Sequence, residues 1–568
     1  MGVARSLGIA GVAALLCGWT PGVAAGADAP VDPTATSEWA CGHWGMYGAG
    51  LGRSFSNDCP TGISPTTAAT LVPAWFFKTD RSVTASPVVV DGVLYVGDWS
   101  GTMYALDAAT GAERWRFQVP ESQGAAFGPV VSSAAVTAVE LNDTLQRLVI
   151  FGGGPHLFAL DAVSGQVRWQ LDLLQGEPGE RNQTEILSSP AVSGGVVYVG
   201  LDTHGHSEAD TGGVRGGLLA VDAATGIERW RFEPELDQPG VGCGGVWSSP
   251  VVDVADGLVV FATANCGEPA EDFTWNDHTE AVTALRMDDG AVAWTFSPHD
   301  PNRLDIDFGA TPNLFTDADG RRLLGAGDKN AVYYAVDPAT GIEQWNVQVA
   351  EPGNFSQDFA VGGFIGSPAT WNGTVVGATA IGGNPYVHAI DGRTGDIAWQ
   401  SPAAPPSYAA TGIAGGVAFV AALDSVVRGF DVATGLPVFA APLAGPGSSG
   451  PAIVGDWLFI GSGTSSTDLC AKGSPGDTLC LTIFESLVGG LGGVHGFHLA
   501  ASTNPPTPAG VAAIANPPAS PPAAAPAPVD SANRSASLPA TGGAVPLAPA
   551  AVALAAALLA RHRAMPKR

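Results

Sequence analysis

Residues 86–118 read SPVVVDGVLYVGDWSGTMYALDAATGAERWRFQ, and the pattern within them decides the fold. Three short apolar runs occupy residues 87–90, 93–97 and 102–106, and a fourth follows at 112–117. Turn-forming Asp, Gly and Ser residues separate the runs, which is typical of short antiparallel strands joined by tight turns. The stretch therefore predicts one four-stranded antiparallel sheet.

The last turn of this stretch returns along the chain as Asp-x-x-x-Gly-x-x-x-Trp. Successive copies lie roughly 40 to 64 residues apart, the length of one blade of a propeller. The complete copies are Asp107/Gly111/Trp115, Asp161/Gly165/Trp169, Asp222/Gly226/Trp230, Asp337/Gly341/Trp345 and Asp391/Gly395/Trp399. Two weaker copies carry one substitution each, Arg286/Gly290/Trp294 and Asp431/Gly435/Phe439. The repeat predicts one blade per copy.

The two ends of the repeat region complement each other. The last repeat, residues 448–499, has only three strand-like runs, and residues 71–77 form a lone outer-strand copy. Pairing them closes a ring and removes exposed sheet edges. The Trp of each copy can then pack against the next blade and bury area that one blade cannot bury alone. We predict an all-β fold, an eight-bladed β-propeller of four-stranded antiparallel blades over residues 38–500, closed by an N-terminal strand.

Charge and the N-terminal sequence limit the partners and the compartment. The 568 residues carry a formal net charge of -28, which disfavours nucleic acid and anionic membranes. Residues 1–27 combine Arg5, an apolar run and small residues before Asp28, an order that predicts an export signal. A lipoprotein signal at Cys17 is the alternative, although Leu16 stands before it where a small residue is usual.

The sequence of the C-terminal part predicts a disordered stalk followed by a targeting signal. Residues 501–537 are almost entirely Pro, Ala and Ser, which is typical of an extended, disordered spacer. Residues 538–568 give Leu-Pro-Ala-Thr-Gly, an apolar stretch and a basic tail, and they resemble the LPxTG sorting signal of Gram-positive surface proteins. The resemblance implies sortase cleavage between Thr541 and Gly542 and attachment to peptidoglycan. A single membrane-spanning anchor is the alternative.

The cysteines favour disulfides. Six remain after the export signal, an even number in an oxidising compartment. Proximity along the chain suggests the pairs Cys41 with Cys59, Cys243 with Cys266 and Cys470 with Cys480, while other pairings stay open.

Polar and aromatic residues interrupt the apolar repeat near one mouth of the predicted channel. Propellers carry function where innermost strands and their loops converge, so departures from the repeat are informative there. Trp247 sits on a strand that should be innermost, although the repeat places its Trp on the outermost one. Asp305 and Asp307 bring two carboxylates to the next innermost strand, which suits a cation or a general base. Further departures are Glu208, Asn265 and Lys329. Taken singly, each also fits a core-filling side chain or a solvated turn.

Together these residues resemble the pyrroloquinoline quinone (PQQ) dependent alcohol dehydrogenases, which are eight-bladed propellers with similar repeats. The likeness spans residues 38–500 and is greatest for the polyvinyl alcohol dehydrogenase type. It rests on Trp44-Gly45-Met46-Tyr47-Gly48 with Arg53, Val246-Trp247-Ser248-Ser249-Pro250, Asp307-Phe308-Gly309-Ala310-Thr311-Pro312 and Gly493-Val494-His495-Gly496-Phe497. The resemblance implies oxidation of an alcohol, small or polymeric, to a carbonyl.

The resemblance also implies roles for the mouth residues. Trp247 would stack under the quinone and Lys329 would contact its oxygens, with Arg215 as a further cofactor-binding residue. Asp307 would be the catalytic base, and Asp305 is the rival for that role.

A cation is implied beside the quinone. Glu208, Asn265 and Asp307 would bind Ca2+, with Asp210 as the alternative to Glu208. If Asp305 were the base, Asp307 would resemble the extra carboxylate of lanthanide-using members.

Electrons would leave through a separate acceptor, because the sequence encodes no Cys-x-x-Cys-His haem motif and no fused cytochrome. Two non-catalytic interpretations stay open. One is a propeller scaffold like the outer-membrane assembly lipoproteins, and the other is an adhesion module displayed on the stalk.

Overall fold

The computed structural model describes residues 42–120, 130–141, 144–173, 184–203, 216–234, 245–264, 277–299, 306–351, 354–356, 359–360, 362–380, 384–464 and 491–500. The predicted export signal (1–27), stalk (501–537) and sorting signal (538–568) lie outside these residues and stay predictions. Within the described ranges, no helix is both long and apolar enough to cross a membrane.

The described chain forms eight four-stranded antiparallel sheets, the blades, each with its first strand innermost. Blade 1 comprises Val88–Val90, Val93–Gly97, Thr102–Asp107 and Glu113–Gln118. Blade 2 comprises Ala135–Leu141, Thr144–Gly153, His156–Asp161 and Val167–Asp172. Blade 3 comprises Ala191–Ser193, Val196–Thr203, Gly217–Asp222 and Glu228–Phe232. Blade 4 comprises Val251–Asp253, Leu258–Ala262, Val282–Arg286 and Val292–Phe296.

The second half repeats this arrangement. Blade 5 comprises Asn313–Thr316, Arg322–Gly327, Val332–Val336 and Glu343–Gln348. Blade 6 comprises Ala369–Trp371, Thr374–Ala378, Val387–Asp391 and Ile397–Ser401. Blade 7 comprises Gly412–Ala414, Val417–Ala421, Val426–Asp431 and Pro437–Pro442. Blade 8 comprises Ala452–Val454, Trp457–Ser462, Gly493–Leu499 and the N-terminal Leu71–Lys78. Short elements outside the blades are Ser56–Asn57, the 3-10 helix Ala68–Thr70, Thr184–Glu185, Asn354–Ser356 and Phe359–Ala360.

The predicted closure of the ring is confirmed. Leu71–Lys78 pairs antiparallel with Gly493–Leu499, with Leu71 opposite Leu499 and Lys78 opposite Gly493. The first outer strand of the chain thus completes the last blade. The predicted eight-bladed, all-β architecture is therefore the observed one.

The repeated Trp joins neighbouring blades at seven of the eight junctions. A Cβ placed on the repeat glycine of the following blade would collide with the indole, so the ring lies flat on the glycine backbone. The indole N–H donates to a carbonyl of the same turn at 2.7 to 3.1 Å. The Trp and glycine pairs are Trp75/Gly111, Trp115/Gly165, Trp169/Gly226, Trp230/Gly290, Trp294/Gly341, Trp345/Gly395 and Trp399/Gly435. These contacts require a glycine, which explains why the repeat keeps one.

The repeated Asp caps the turn before the Trp in the copies that keep it. In blade 2, Asp161 Oδ1 accepts the Ser164 backbone N–H at 2.8 Å, and Oδ2 accepts from Arg168 at 2.8 Å. Burial opposes ionisation, but the hydrogen bonds from Arg168 and Ser164 outweigh it and lower the pKa of Asp161 to about 2. The turn chemistry predicted for the repeat is present.

Residues 44–57, here called the axial segment, cross the channel inside the ring. Seven blades hold it through the second residue of their inner strand. These bonds join Trp44 to Val89, Gly45 to Val136, Leu51 to Val252, Gly52 to Leu314, Ser54 to Thr370, Phe55 to Ile413 and Asn57 to Ile453.

Arg53 anchors the axial segment to blades 3 and 4. It is fully buried, and its guanidinium donates to the carbonyls of Tyr47, Ser189, Pro190 and Pro250. Burial lowers the pKa of Arg53 to about 9, so it remains charged at neutral pH.

Cys59 is the only cysteine among the described residues, and it is disulfide-bonded. Its partner lies outside the described residues, as do both members of the other two suggested pairs. The Cys41 with Cys59 pairing therefore stays a prediction.

Candidate functional site at the channel mouth

A belt of hydroxyl groups lines the channel in six of the eight blades, where the inner strands begin. Its members stand two residues before each inner strand in blades 1 to 6. Each hydroxyl accepts the backbone N–H of the equivalent residue in the preceding blade at 2.8 to 3.1 Å. The hydroxyl belt consists of Ser86, Ser133, Ser189, Ser249, Thr311 and Ser367, and its equivalents in blades 7 and 8 are Ala410 and Gly450.

The mouth of the channel is lined by the residue that stands two positions before each belt position, which is four positions before the inner strand. At this position seven of the eight side chains are half-buried, whereas the next three residues of every blade are buried. The position therefore faces the channel, and we call its residues the mouth layer. They are Thr84, Val131, Leu187, Trp247, Gly309, Ile365, Tyr408 and Ser448. This layer is largely apolar, as is usual for small-molecule sites.

Trp247, Asp307 and Lys329, three residues predicted from the sequence, meet at this mouth. Lys329 Nζ lies 3.0 Å from Asp307 Oδ2, and the Trp247 indole N–H donates to the same oxygen at 3.3 Å. Lys329 Nζ also lies over the Trp247 ring, 5.5 Å from its centroid, a cation–π distance. Only 4% of the Asp307 side chain and 11% of the Lys329 side chain are exposed. A buried carboxylate is thus compensated by a cation beside an aromatic face.

Glycine and turn geometry fix these side chains. Gly309 leaves no room for a side chain, because a Cβ there would lie 3.0 Å from Trp247 Cη2 and 2.7 Å from the Phe364 carbonyl. Asp328 caps the turn that carries Lys329 by accepting the Asn330 backbone N–H at 3.0 Å. The backbone N–H of Lys329 donates to the Asp307 carbonyl at 2.9 Å. The two charged residues are therefore coupled through backbone as well as side chain.

Tyr408 belongs to the site and was missed by the sequence reasoning. Burial raises the pKa of its hydroxyl, while the Lys329 charge opposes that rise. Tyr408 stands four residues before its inner strand, as Trp247 does. Alignment of the blades on that frame is the signal that could have identified it.

The other predicted site residues are not among the described residues. They are Glu208, its alternative Asp210, Arg215, Asn265 and Asp305. Among the residues that are described, no three His, Cys, Asp or Glu side chains group into a metal site. The Ca2+ site and the choice between Asp305 and Asp307 as base therefore stay predictions.

The described residues fit a flat, anionic quinone. The Trp247 indole is half-buried where its neighbours in sequence are buried, so part of it faces the channel. Lys329 Nζ, which lies over the face of that indole, carries N–H donors. Trp247 would hold PQQ by stacking and Lys329 by donating to its oxygens. Of the three predicted Ca2+ ligands, only Asp307 is described, so the fit of the cation is not tested by the geometry.

Two family models match the chain. The one described as "Glucose/ethanol/alcohol dehydrogenase, beta-propeller domain" matches residues 44–351, more than half of the chain. The one described as "Outer membrane protein assembly factor BamB" matches residues 328–471. Trp247 and Asp307 lie only within the first match, and Lys329 lies within both.

Relatives and solved structures agree with the first match. A polyvinylalcohol dehydrogenase of a Pseudomonas species is 26% identical over 487 residues, which cover 74% of this chain and 73% of the relative. A polyvinylalcohol dehydrogenase of Sphingopyxis sp. (strain 113P3) is 27% identical over 464 residues, 68% of each chain. The structure of a quinohemoprotein alcohol dehydrogenase from Pseudomonas putida HK5 superimposes with a TM-score of 0.65 at 20% identity, covering 84% of this chain and 83% of that one. At that identity the structural likeness concerns the fold.

The blade repeat, the closed ring and the match over residues 44–351 lead to one conclusion: the chain belongs to the PQQ-type glucose/ethanol/alcohol dehydrogenase β-propeller family, a family of PQQ-dependent oxidoreductases.

Proposed function

We propose that this protein is an exported, cell-wall-anchored quinoprotein that oxidises an alcohol to a carbonyl with PQQ and Ca2+. The observation that carries the proposal is the contact of Asp307 with both Lys329 and Trp247 at the channel mouth. Alcohol oxidation by a quinone needs a general base close to the aromatic ring on which the quinone stacks and to a positively charged side chain. Asp307, Trp247 and Lys329 supply these three groups. The relatives named polyvinylalcohol dehydrogenase support a secondary or polymeric alcohol as substrate.

Each residue has a separate task. Asp307 takes the proton of the alcohol hydroxyl on its carboxylate, which makes the O–H bond the first to weaken. PQQ, when bound, supplies the acceptor for the hydride that leaves the alcohol carbon. Lys329 compensates the Asp307 charge before the proton arrives, and Trp247 fixes the direction of Oδ2 through its indole N–H. The carbonyl product forms as the C–H and O–H bonds break.

The mouth layer suits an alkyl alcohol. Val131, Leu187 and Ile365 present half-buried aliphatic side chains around the channel. Such a wall excludes water from the reacting carbon and favours substrates with apolar carbon chains.

The cation and the electron outlet complete the proposal. Glu208 and Asn265 would join Asp307 as Ca2+ ligands, since carboxylate and amide oxygens suit this hard cation. A separate acceptor would take up the electrons removed from the alcohol.

The first experiment is an absorption titration of the purified exported protein with PQQ, with and without Ca2+, followed by dye reduction with simple alcohols. We expect saturable, Ca2+-dependent binding near one equivalent and dye reduction that depends on alcohol. The matched pair of variants is Trp247→Ala, expected to weaken PQQ binding, and Trp371→Ala, a half-buried Trp at the far end of blade 6 that should leave binding unchanged.

A scaffold is the second candidate function, and the BamB-type match over residues 328–471 is the observation that favours it. That match excludes Trp247 and Asp307, which a scaffold has no chemical reason to bring together. Absence of PQQ binding with and without Ca2+ would favour the scaffold.

Anchoring at the cell wall is tested separately. We expect the C-terminal peptide released from purified cell wall to end at Thr541, with a peptidoglycan fragment attached. Recovery of intact residues 542–568 in the membrane fraction would instead favour a membrane anchor.

A further inference from the structure

Glu280 is a fully buried carboxylate at the mouth side of blade 4, and the reaction described above does not use it. It lies in the turn that leads into the third strand, Val282–Arg286. Charged side chains are seldom fully buried unless partners hold them, so its place requires an explanation.

Comparison of the blades shows that Glu280 breaks the repeat. At the equivalent position in blades 1, 5 and 7, just before the third strand, stand Gly101, Ala331 and Ser425, with φ of 86°, 63° and 63°. Glu280 has a φ of 48°, in the same left-handed region. A positive φ strains every residue that carries a Cβ, so of these four only Gly101 adopts it without that cost. Blade 4 therefore places a long acidic side chain where blades 1, 5 and 7 hold a small residue.

The carboxylate of Glu280 faces the segment that carries Asp307. Its Oε1 accepts the backbone N–H of Ile306 at 3.3 Å, one residue before Asp307. Its Oε2 lies 3.6 Å from His299 Nδ1, on the connection between blades 4 and 5. Glu280 thus links the turn of blade 4 to the backbone immediately before Asp307.

Asp307 is therefore held from two directions. Its own carbonyl accepts the Lys329 backbone N–H at 2.9 Å within blade 5, and the preceding residue is bonded to Glu280 of blade 4. A charged acceptor holds an amide more firmly than a neutral one. The direction of the Asp307 side chain follows from the backbone on both sides of it.

We propose that Glu280 is the positioning residue for Asp307: it holds the Ile306 amide and so keeps the Asp307 carboxylate aligned with Lys329 and the substrate. His299 steadies the second oxygen of Glu280. The proposal rests on the function proposed above, in which Asp307 is the base.

The decisive variant is Glu280→Ser, which introduces the residue that blade 7 uses at this turn. Serine leaves the buried Ile306 N–H without its acceptor, so we expect a moderately lower unfolding temperature. The kcat should fall about tenfold to a hundredfold, the range expected when a base is displaced by about 1 Å, while KM and PQQ affinity stay near wild type. A purely structural role would lower the unfolding temperature and leave the kcat of the folded protein near wild type.

Glu280→Gln is the conservative partner. Its amide oxygen can still accept the Ile306 N–H, so we expect it to recover most of the kcat that Glu280→Ser loses. Ser425→Ala, at the equivalent turn of blade 7, is the matched control and should leave kcat unchanged.

Hydrogen exchange of the protein without PQQ gives a readout that does not depend on turnover. We expect the peptide containing Ile306 to exchange faster in Glu280→Ser than in wild type, with the rest of blade 5 unchanged. Wild-type kcat and wild-type exchange in Glu280→Ser would overturn the inference, as would equal losses in Glu280→Ser and Glu280→Gln. If wild type fails to bind PQQ, the proposed function fails, whereas the exchange result still tests the link between Glu280 and Ile306.

Discussion

One oxygen of Asp307 receives both the Lys329 ammonium and the Trp247 indole N–H. Replacement by asparagine keeps the shape but removes the proton acceptor. We expect Asp307→Asn to lower kcat by roughly a hundredfold to ten-thousandfold, the usual contribution of a general base, while PQQ still binds. Dye-coupled turnover and the PQQ absorption titration measure the two effects.

The matched control is Asp253→Asn. Asp253 is as buried as Asp307 and pairs with Arg322, but it lies at the opposite end of its inner strand. It should lower stability and leave kcat of the folded protein near wild type. Full turnover in Asp307→Asn would transfer the role of base to Asp305.

A second residue-scale effect is the pH dependence that Asp328 introduces. Burial raises the pKa of Asp328 to about 7 from the ordinary 3.8. Between these values the folded protein holds a proton that the unfolded chain has released, so stability decreases as the pH rises from about 4 to 7. We expect Asp328→Asn to flatten this decrease, so that its unfolding temperature gains on wild type as the pH rises.

The control for this effect is Asp161→Asn, measured by thermal unfolding at several pH values. The pKa of Asp161 is lowered to about 2, so its stabilisation is complete above pH 3.8 and is lost only as the pH falls toward 2. This variant should shift the unfolding temperature by a constant amount between pH 4 and 7. Equal slopes for Asp328→Asn and wild type would contradict the prediction.

At the scale of the element, the hydroxyl belt sets the spacing of the mouth segments. Thr311 Oγ1 accepts the Ser249 N–H at 3.0 Å, two residues after Trp247, and Thr311 itself lies four residues after Asp307. We expect Thr311→Val to cost about 1–3 kcal/mol, because it leaves a buried N–H without an acceptor. It should also lower kcat, because the segments of Trp247 and Asp307 lose their link.

Two further variants isolate the belt. Thr311→Ser keeps the acceptor and should behave like wild type in unfolding and turnover. Ser86→Ala removes the blade 1 hydroxyl that accepts the Gly450 N–H of blade 8. We expect a similar loss of stability with unchanged kcat. Equal losses of kcat in Ser86→Ala and Thr311→Val would show that the belt acts on the ring as a whole.

The repeat explains how much of this could be predicted from sequence. The blades followed from Asp-x-x-x-Gly-x-x-x-Trp, because its Gly and Trp make the same contact at seven of the eight blade junctions. The closure followed from the strand that the last repeat lacks. Trp247, Asp307 and Lys329 were predicted because they break the frame with conspicuous side chains. Tyr408 was not predicted, because its position becomes informative only when blade 7 is aligned with the other blades on the start of the inner strand. Glu280 was not predicted either, because its role depends on a positive φ and on a partner in another turn. The spacing of residues in the sequence reveals neither.

The path of the axial segment could not be predicted from the sequence either. Residues 44–48 with Arg53 were recognised only as marks of a family. Their contacts with seven blades have no periodicity, because a segment that crosses the ring meets each blade at a different residue. Such a path is visible only once the ring is assembled.

At the scale of the whole molecule, three systems of contacts run around the ring at different radii. The Trp and glycine pairs join the blades on the outside, the hydroxyl belt joins them near the channel, and the axial segment joins them across it. The outermost system depends on Trp75 at the seam, where a strand from the start of the chain completes blade 8. Blades linked at all three radii should unfold together.

Arg53 tests that cooperativity, because one buried side chain ties the axial segment to two blades. Arg53→Met fills a similar volume but leaves the carbonyls of Ser189, Pro190 and Pro250 without their donor. We expect a loss of about 3–5 kcal/mol, typical of removing one partner from a buried charged network, and a single unfolding transition at lower temperature. Arg116→Met, which breaks an exposed pair with Glu113, should cost less than about 1 kcal/mol. Calorimetry measures both; two separate transitions in Arg53→Met would mean that the axial segment, rather than the blade contacts, makes the ring unfold as one unit.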